Sequence, residues 1–284
     1  MNAMPALILV AALLPGCGPA VAPAAKGQDS ASTAPQRQSP SDDQPKQLSQ
    51  KVPEGIGPEA KPLSDGGESY TLRLKLKPGD KVSYQFRNRS ASIATPKLDK
   101  SKIPDGKWED ASMELDGTQV MTVVEFKDGY FKIERETKNE RASGTGFGKE
   151  QAKEMMKGNE AYKDSIQLSE RNSYPEAVNL SDPFTNGLNG VFPEKPVKVG
   201  DSWEFDAFRS GKLTRAVFKG LDEVQGVKCF RIELKFPPLV EGADDRMWVW
   251  FETGTGVVEK AILRSVSDLY GIDTYTVHSQ WRQR

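Results

Sequence analysis

From Tyr70 onward, apolar and polar residues alternate with a period of two in many short stretches of the chain. Such alternation is typical of β-strands that bury one face. The stretches are residues 70–76, 82–86, 118–126, 130–137, 214–218, 228–236, 246–251, 256–266 and 274–281. Lys127-Asp128-Gly129 separates two of them and has the composition of a hairpin turn. The pattern therefore predicts a mostly β domain of antiparallel strands.

One segment has the periodicity of a helix instead. In residues 149–157, Ala152, Met155 and Met156 fall on one side of a helix that Gly158 would end. The expected fold is a curved antiparallel sheet, either a half-barrel or a two-sheet sandwich, with one short helix.

A short pattern occurs twice, as K-P-G-D in residues 77–80 and as K-V-G-D in residues 198–201. In both copies, apolar residues stand two and four positions after the aspartate. Glycine suits such turns because it adopts backbone conformations that other residues avoid. Two interpretations stay open: a pseudo-duplicated domain, or two independent copies of a common turn.

The first 69 residues differ from the rest, because the 12 Phe, 7 Tyr and 5 Trp all lie from Tyr70 onward. Residues 6–14 form an uncharged apolar run, shorter than the roughly 20 residues that span a bilayer but typical of a secretory signal. Residues 17–69 are rich in Pro, Ala, Ser and Gln, too polar to offset the entropy of folding. We expect a signal peptide in residues 1–16, a disordered tether in 17–69 and a β domain in 70–284.

The signal ends in Leu14-Pro15-Gly16-Cys17, which resembles the lipobox of bacterial lipoproteins: a leucine three positions before a cysteine, and a small residue immediately before that cysteine. The resemblance implies that Cys17 carries a diacylglycerol thioether and an acylated amine, such as a palmitoyl amide. Several acyl chains on one residue would anchor the protein stably to a membrane of the cell envelope. The alternatives are an ordinary secretory signal that contains a cysteine and a cytoplasmic protein.

Charge and composition exclude several function classes. The chain has 39 Lys+Arg and 40 Asp+Glu, a formal net charge of −1, whereas nucleic-acid binding depends on a basic surface. Its single histidine excludes centres that need two imidazoles, such as the H-E-x-x-H zinc site. We expect no metal, no cofactor and no nucleic-acid partner.

The candidates for catalytic chemistry each have a simpler explanation. Strand alternation places His278 on a solvent-facing side, and nothing near Cys229 marks that thiol as a nucleophile. Asp245 and Glu252 offer two carboxylates, but both lie near turns, where acidic residues are common. We therefore expect no enzymatic activity. A buried His278 or a buried Asp245–Glu252 pair would reopen the question.

Some strands are apolar on both faces, which is not expected of a strand with one face in water. In residues 246–251, Trp248 and Trp250 point one way and Met247, Val249 and Phe251 the other. Either ordinary core, a ligand or a partner protein must cover the second face. Tryptophans, together with flexible methionines such as Met155 and Met156, suit a ligand site.

Residues 193–203 and 248–258 resemble segments of uncharacterised exported bacterial β-proteins. More remotely, the strand, aromatic and turn pattern is similar to the LolA/LolB-type lipoprotein-carrier fold, a half-barrel closed by helices over an apolar hollow. The resemblance implies a module that holds an apolar ligand.

We therefore expect a lipid-anchored protein of the cell envelope, on the periplasmic or extracytoplasmic side. Its β domain would bind an apolar ligand, such as an acyl chain, around Trp248, Trp250, Met155 and Met156. The alternative is an envelope scaffold or adaptor that docks a protein partner through the same aromatic face. Its membrane contact would be the lipid on Cys17.

Overall fold

A computed structural model describes residues 56–64, 66–103, 107–157, 161–175, 184, 187–238 and 243–284. The expected signal peptide, Cys17 and most of the expected tether lie outside the described residues.

The described part of the chain forms one antiparallel sheet of eleven strands with a single α-helix. The strands are β1 (Ala60–Leu63), β2 (Lys81–Ala94), β3 (Ala111–Lys127), β4 (Tyr130–Thr145), β5 (Tyr162–Ser169), β6 (Ser202–Phe205), β7 (Thr214–Val224), β8 (Val227–Lys235), β9 (Asp244–Glu252), β10 (Val258–Leu269) and β11 (Ile272–Arg282). Helix α1 spans Gly148–Met156, and a 3-10 helix spans Lys100–Lys102.

The strand order is β1-β7-β8-β9-β10-β11-β2-β3-β4-β5, with β6 also paired to β7. Strands β2 to β5 and strands β7 to β11 each run up and down in sequence order, and the pairing of β11 with β2 joins the two groups. The sheet is curved and open, and it does not close into a barrel. The prediction of a mostly β fold with a curved antiparallel sheet and one short helix is confirmed. The half-barrel, not the sandwich, is the architecture found.

One face of the sheet, here called the inner face, carries Met247, Val249 and Phe251. The side chains of this face form the larger apolar core. Parts of the chain outside the strands pack on it, including Leu72, which is 1% exposed, and Phe192, which is fully buried. The opposite face carries Trp248 and Trp250 and is called the outer face.

Residues 70–76 do not form the strand that their alternation predicted. Tyr70 makes an isolated bridge with Val197, Leu74 N donates to the carbonyl of Glu170 at 2.8 Å, and Lys75 N donates to that of Thr255 at 2.8 Å. The backbone thus bonds to three separate segments instead of one partner strand. The segment alternates because Leu72 and Leu74 point into the inner core.

The two K-x-G-D copies form the same turn. Gly79 and Gly200 both have a φ of +93°, a conformation that favours glycine. In each copy an Asp Oδ2 accepts a hydrogen bond of 2.8 Å from a lysine backbone N–H, Asp80 from Lys77 and Asp201 from Lys198.

The likeness continues beyond these turns into the next hairpin. Each turn leads into a strand, β2 or β6, that pairs with the following strand, β3 or β7. Those strands then turn at Asp128-Gly129 and Gln225-Gly226, and all four residues have positive φ angles between 52° and 82°. The local repeat therefore extends from turn through hairpin in both halves of the domain.

Candidate functional site

Trp248 and Trp250 lie in a second, smaller core on the outer face, where they are 3% and 2% exposed. Val224, Cys229, Ile262 and Val277 complete this cluster. Ile56 and Ala60 pack against it, and the rings are also covered by two cations. Lys260 lies 5.3 Å from the Trp250 ring centre and Arg264 lies 5.6 Å from that of Trp248. The protein's own chain therefore covers the apolar second face of β9.

Polar contacts anchor this outer cluster. The Trp250 Nε1–H donates to Asp222 Oδ2 at 2.7 Å, and Arg231 lies 3.3 Å from the same carboxylate oxygen. Asp222 itself is only 1% exposed. Lys260 Nζ donates to the carbonyl of Pro58 at 2.6 Å. Residues 56–64, which lie within the tether expected from the sequence, thus reach the folded domain and end in the edge strand β1.

Met155 and Met156 lie at the end of α1, which packs against β3 and β4. Both methionines are half-buried, and the carbonyl of Met155 accepts a hydrogen bond of 3.2 Å from Asn139 Nδ2. Strands β10, β11 and β2 separate β3 from the tryptophan-bearing β9. The structure therefore does not bring the methionines and the tryptophans into one site.

A cavity of about 80 Å³ lies on the inner face instead. Strands β2 to β5 and β9 to β11 contribute to its wall, together with non-strand residues around Leu74 and Tyr174. Its apolar wall includes Leu74, Val123, Ile133, Ile166, Phe251 and Val257, and its polar wall consists of Tyr84, Gln119, Asn172, Tyr174 and Gln280. No Asp, Glu, Lys, Arg or His is among the described lining residues.

The polar lining residues have definite positions in the fold. Tyr84 on β2 stands directly opposite Gln119 on β3. Gln119 Nε2 donates to Thr137 Oγ1 at 3.2 Å, and Asn172 Nδ2 donates to the carbonyl of Leu188 at 2.7 Å. The pKa of the Tyr84 hydroxyl is raised far above its ordinary value, mainly by burial. This group is therefore a neutral phenol near pH 7.

A network of charges lies at the same end of the sheet as Tyr84. Arg282, which pairs with Tyr84 across β11 and β2, contacts Glu252 at 2.8 Å and Glu259 at 3.6 Å. Arg284 binds Glu259 through both carboxylate oxygens, at 2.8 and 3.0 Å. The basic and acidic groups of this network are therefore engaged with one another.

The prediction that His278 faces solvent is wrong, because this side chain is 1% exposed. Alternation correctly separated His278 from Val277, but the side that carries His278 faces inward. His278 stands opposite Leu263 and Asn88 on the inner face, and Val277 packs in the outer cluster.

The buried His278 meets the condition that would reopen the question of catalysis. The neighbouring Ser265 donates its hydroxyl hydrogen directly to Asp245, whereas in a Ser–His–Asp triad the imidazole stands between hydroxyl and carboxylate. Burial raises the pKa of Asp245.

Asp245 and Glu252 stand near opposite ends of β9 and do not form a pair. Within the described ranges, no group of three or more His, Cys, Asp or Glu residues is placed to hold a metal ion.

Cys229 is a buried thiol of the outer cluster, with no exposed surface. Its Sγ donates weakly to the carbonyl of Val227 at 3.4 Å. The pKa of this thiol is raised to about 12, mainly by burial. The reactive thiolate is therefore disfavoured. The thiol therefore has the environment of a structural residue.

The cavity residues Tyr84, Gln119 and Gln280 were not identified from the sequence. Tyr84 belongs to the alternating stretch of residues 82–86, where it is indistinguishable from any core aromatic. Gln280 shares its strand face with His278, a face that alternation alone describes as polar and exposed. No local signal reports that these residues meet around a cavity.

Comparisons with known proteins give little further information. No protein-family model matches the chain, and no curated protein matches it. Similar solved structures include an S-type phycobiliprotein lyase, CPES, from Guillardia theta, which is 13% identical in sequence. The match covers 70% of this chain and 87% of the lyase chain, with a TM-score of 0.23. A DUF1329 family protein from Desulfovibrio piger ATCC 29098 has 9% identity, coverages of 71% and 85%, and a TM-score of 0.17.

A third structure, the KdgM porin, has 8% identity, coverages of 72% and 100%, and a TM-score of 0.16. TM-scores this low carry no argument about the function of the chain. Across the residues that the structure describes, no helix is long and apolar enough to span a membrane.

Proposed function

We propose that the protein is a lipid-anchored protein of the cell envelope whose β domain binds an apolar ligand and catalyses no reaction. The observation that carries the proposal is the inner cavity, whose wall is mainly apolar and contains no charged side chain among the described lining residues. Ligand sites are commonly concave, mostly apolar and equipped with a few polar groups. The lipobox-like sequence ending at Cys17 supports the membrane anchor.

The size of the cavity limits the ligand. At about 80 Å³, it is well below the roughly 300–1,000 Å³ of typical small-molecule sites. The ligand is therefore a small molecule, or it places only one end of a longer chain here. Leu74 and Tyr174 belong to parts of the wall outside the strands, so displacing them to widen the site leaves the strand pairing intact but breaks local bonds such as that from Leu74 N to the carbonyl of Glu170.

The adaptor alternative requires an exposed aromatic surface. Trp248 and Trp250 are instead buried under Ile56, Ala60 and two cations. Docking through that face would first require residues 56–60 to leave it. Ligand binding at the inner cavity needs no such release, and we therefore favour it.

Native mass spectrometry of the full chain, before and after solvent extraction, tests the proposal. We expect a defined adduct that extraction removes. Val123→Phe should abolish the adduct, because Val123 is 3% exposed and lines the cavity, whereas Val124→Phe should keep it, because Val124 is 43% exposed. Circular dichroism checks that both variants fold.

Two results would contradict this function. One is a clean unliganded mass together with no uptake of added six- to eight-carbon compounds. The other is an adduct that survives in folded Val123→Phe but disappears in Trp250→Phe, which would move the site to the outer face.

A further inference from the structure

Two polar side chains of the cavity have no hydrogen-bond partner among the described residues. Tyr84 is 3% exposed and Gln280 is 9% exposed, and both line the cavity. The polar atoms of neither side chain are among the described atoms that are both fully enclosed and unpaired, so they remain accessible from the cavity. A phenol and an amide that both face the same cavity are therefore available to a bound molecule.

The strand register places these two groups next to each other. Gln280 pairs with Phe86, and Arg282 pairs with Tyr84, across β11 and β2. Tyr84 and Gln280 are thus diagonal neighbours on the inner face, a relationship that places two residues about 7–8 Å apart, within reach of long side chains. One small polar group placed between their side chains can contact both.

The surrounding charges do not favour an ion at this position. The described lining has no charged residue. The nearest guanidinium in the register, that of Arg282, is engaged by Glu252 and Glu259. A carboxylate or phosphate would lose its water shell without gaining a free counter-ion, which is strongly unfavourable. A cation would likewise lack a lining carboxylate.

We propose that the ligand is uncharged and carries one oxygen-containing hydrogen-bonding group, an alcohol or an amide, which Tyr84 and Gln280 bind. This inference rests on the proposed function of the inner cavity. The Tyr84 hydroxyl donates to the ligand oxygen, and the Gln280 amide both donates and accepts. The apolar remainder of the ligand contacts the wall formed by residues such as Ile133 and Phe251.

Binding of matched six-carbon probes to the full chain tests the inference. Isothermal titration calorimetry would compare 1-hexanol and hexanamide with hexanoate and with cyclohexane. We expect the alcohol and the amide to bind at least about tenfold more tightly than hexanoate, because the carboxylate would lose its water shell without gaining a free counter-ion. The hydrocarbon should bind more weakly than either neutral polar probe.

Variants separate ligand recognition from a structural role. Tyr84→Phe should weaken 1-hexanol binding about tenfold while leaving the melting temperature of the unliganded protein essentially unchanged, because the hydroxyl that it removes has no hydrogen-bond partner among the described residues. Gln280→Met should weaken hexanamide similarly. Tyr275→Phe is the control, since Tyr275 lies on β11, the strand of Gln280, but is 40% exposed; it should change neither property.

The outcomes distinguish the two proposals. If all probes bind with equal affinity, or if folded Tyr84→Phe binds 1-hexanol as wild type does, the inference is overturned while the apolar site remains. If no probe binds to the wild-type chain, the proposed function fails and this inference fails with it.

Discussion

The ammonium group of Lys260 lies over the Trp250 ring, 5.3 Å from its centre. The same group connects the outer face of the sheet to the segment that leads into β1. The link is the hydrogen bond of 2.6 Å from Lys260 to the carbonyl of Pro58. Lys260 is 6% exposed, and burial lowers its pKa from 10.5 to about 8. A charged lysine here stabilises the contact with residues 56–60 but carries the cost of its own desolvation.

Replacing Lys260 by methionine should change how stability depends on pH. The pKa of Lys260 is lower in the folded than in the unfolded state, so the folded protein binds this proton more weakly. The buried charge therefore lowers the free energy of unfolding at every pH below about 8. That cost is relieved as pH rises from about 8 to 10.5. The free energy of unfolding of wild type should therefore rise relative to Lys260→Met by at most about 3 kcal/mol across this window.

Urea unfolding of both proteins at pH 7 and at pH 10 measures the difference. Subtracting the variant from wild type cancels the titration of other groups, such as Cys229. A difference that stays constant between the two pH values would show that Lys260 is not held as a desolvated cation.

Gly256 and Gly226 allow backbone strain to be separated from steric clash. Both have positive φ angles, +71° and +77°. A Cβ at Gly256 would lie 2.1 Å from the carbonyl oxygen of Arg73, whereas a Cβ at Gly226 would meet nothing within 4 Å. Gly226→Ala should cost about 1–2 kcal/mol, and Gly256→Ala about 3 kcal/mol or more.

Chemical denaturation of the two glycine variants gives both values. Since residues 73 and 74 would be displaced, Gly256→Ala should also weaken ligand binding at the cavity. Equal destabilisation by the two substitutions would mean that residues 70–76 shift away from Gly256 at little cost.

The repeated turns should contribute similarly to stability. Asp80→Ala and Asp201→Ala each remove one hydrogen bond of 2.8 Å to a lysine backbone N–H, at an expected cost of about 1 kcal/mol each. Because each turn has its own partners, the double variant should show the sum within about 0.5 kcal/mol. The exposed Glu223→Ala serves as control in the same unfolding assay, and strong non-additivity would contradict independent turns.

Cys17→Ser should release the protein from membranes. The expectation follows from the lipobox-like sequence, because the thioether and the acylated amine both depend on this cysteine. Cell fractionation and incorporation of labelled palmitate would measure the loss. Cys229→Ser is the matched control, since that thiol is buried and should not carry lipid. Retention of Cys17→Ser in the membrane fraction would refute the anchor.

Local sequence pattern predicted most of the elements of this fold, although β1 and β5 were not among the predicted strands. Period-two alternation separates Trp248 and Trp250 from Met247 and Phe251, and the structure places the two sets in different cores. The helix predicted over residues 149–157 appears as Gly148–Met156, and the Asp128-Gly129 turn joins β3 to β4. These features depend on backbone geometry within a few residues, which a short window of sequence records.

Which surface each element meets was decided only by the tertiary structure. Alternation placed His278 and Val277 on opposite sides of β11 but could not show that both sides are covered. Likewise, residues 70–76 have the pattern of a strand but lie across the inner face as an extended chain.

The cavity is the clearest case of this division. Tyr84 and Gln280 belong to strands at opposite ends of the domain sequence, and they become neighbours only because β11 pairs with β2. Alternation specifies that two residues of one strand share a face, because the side-chain period follows from the backbone. Burial, cover and cavities depend instead on contacts between distant segments, which no local period encodes.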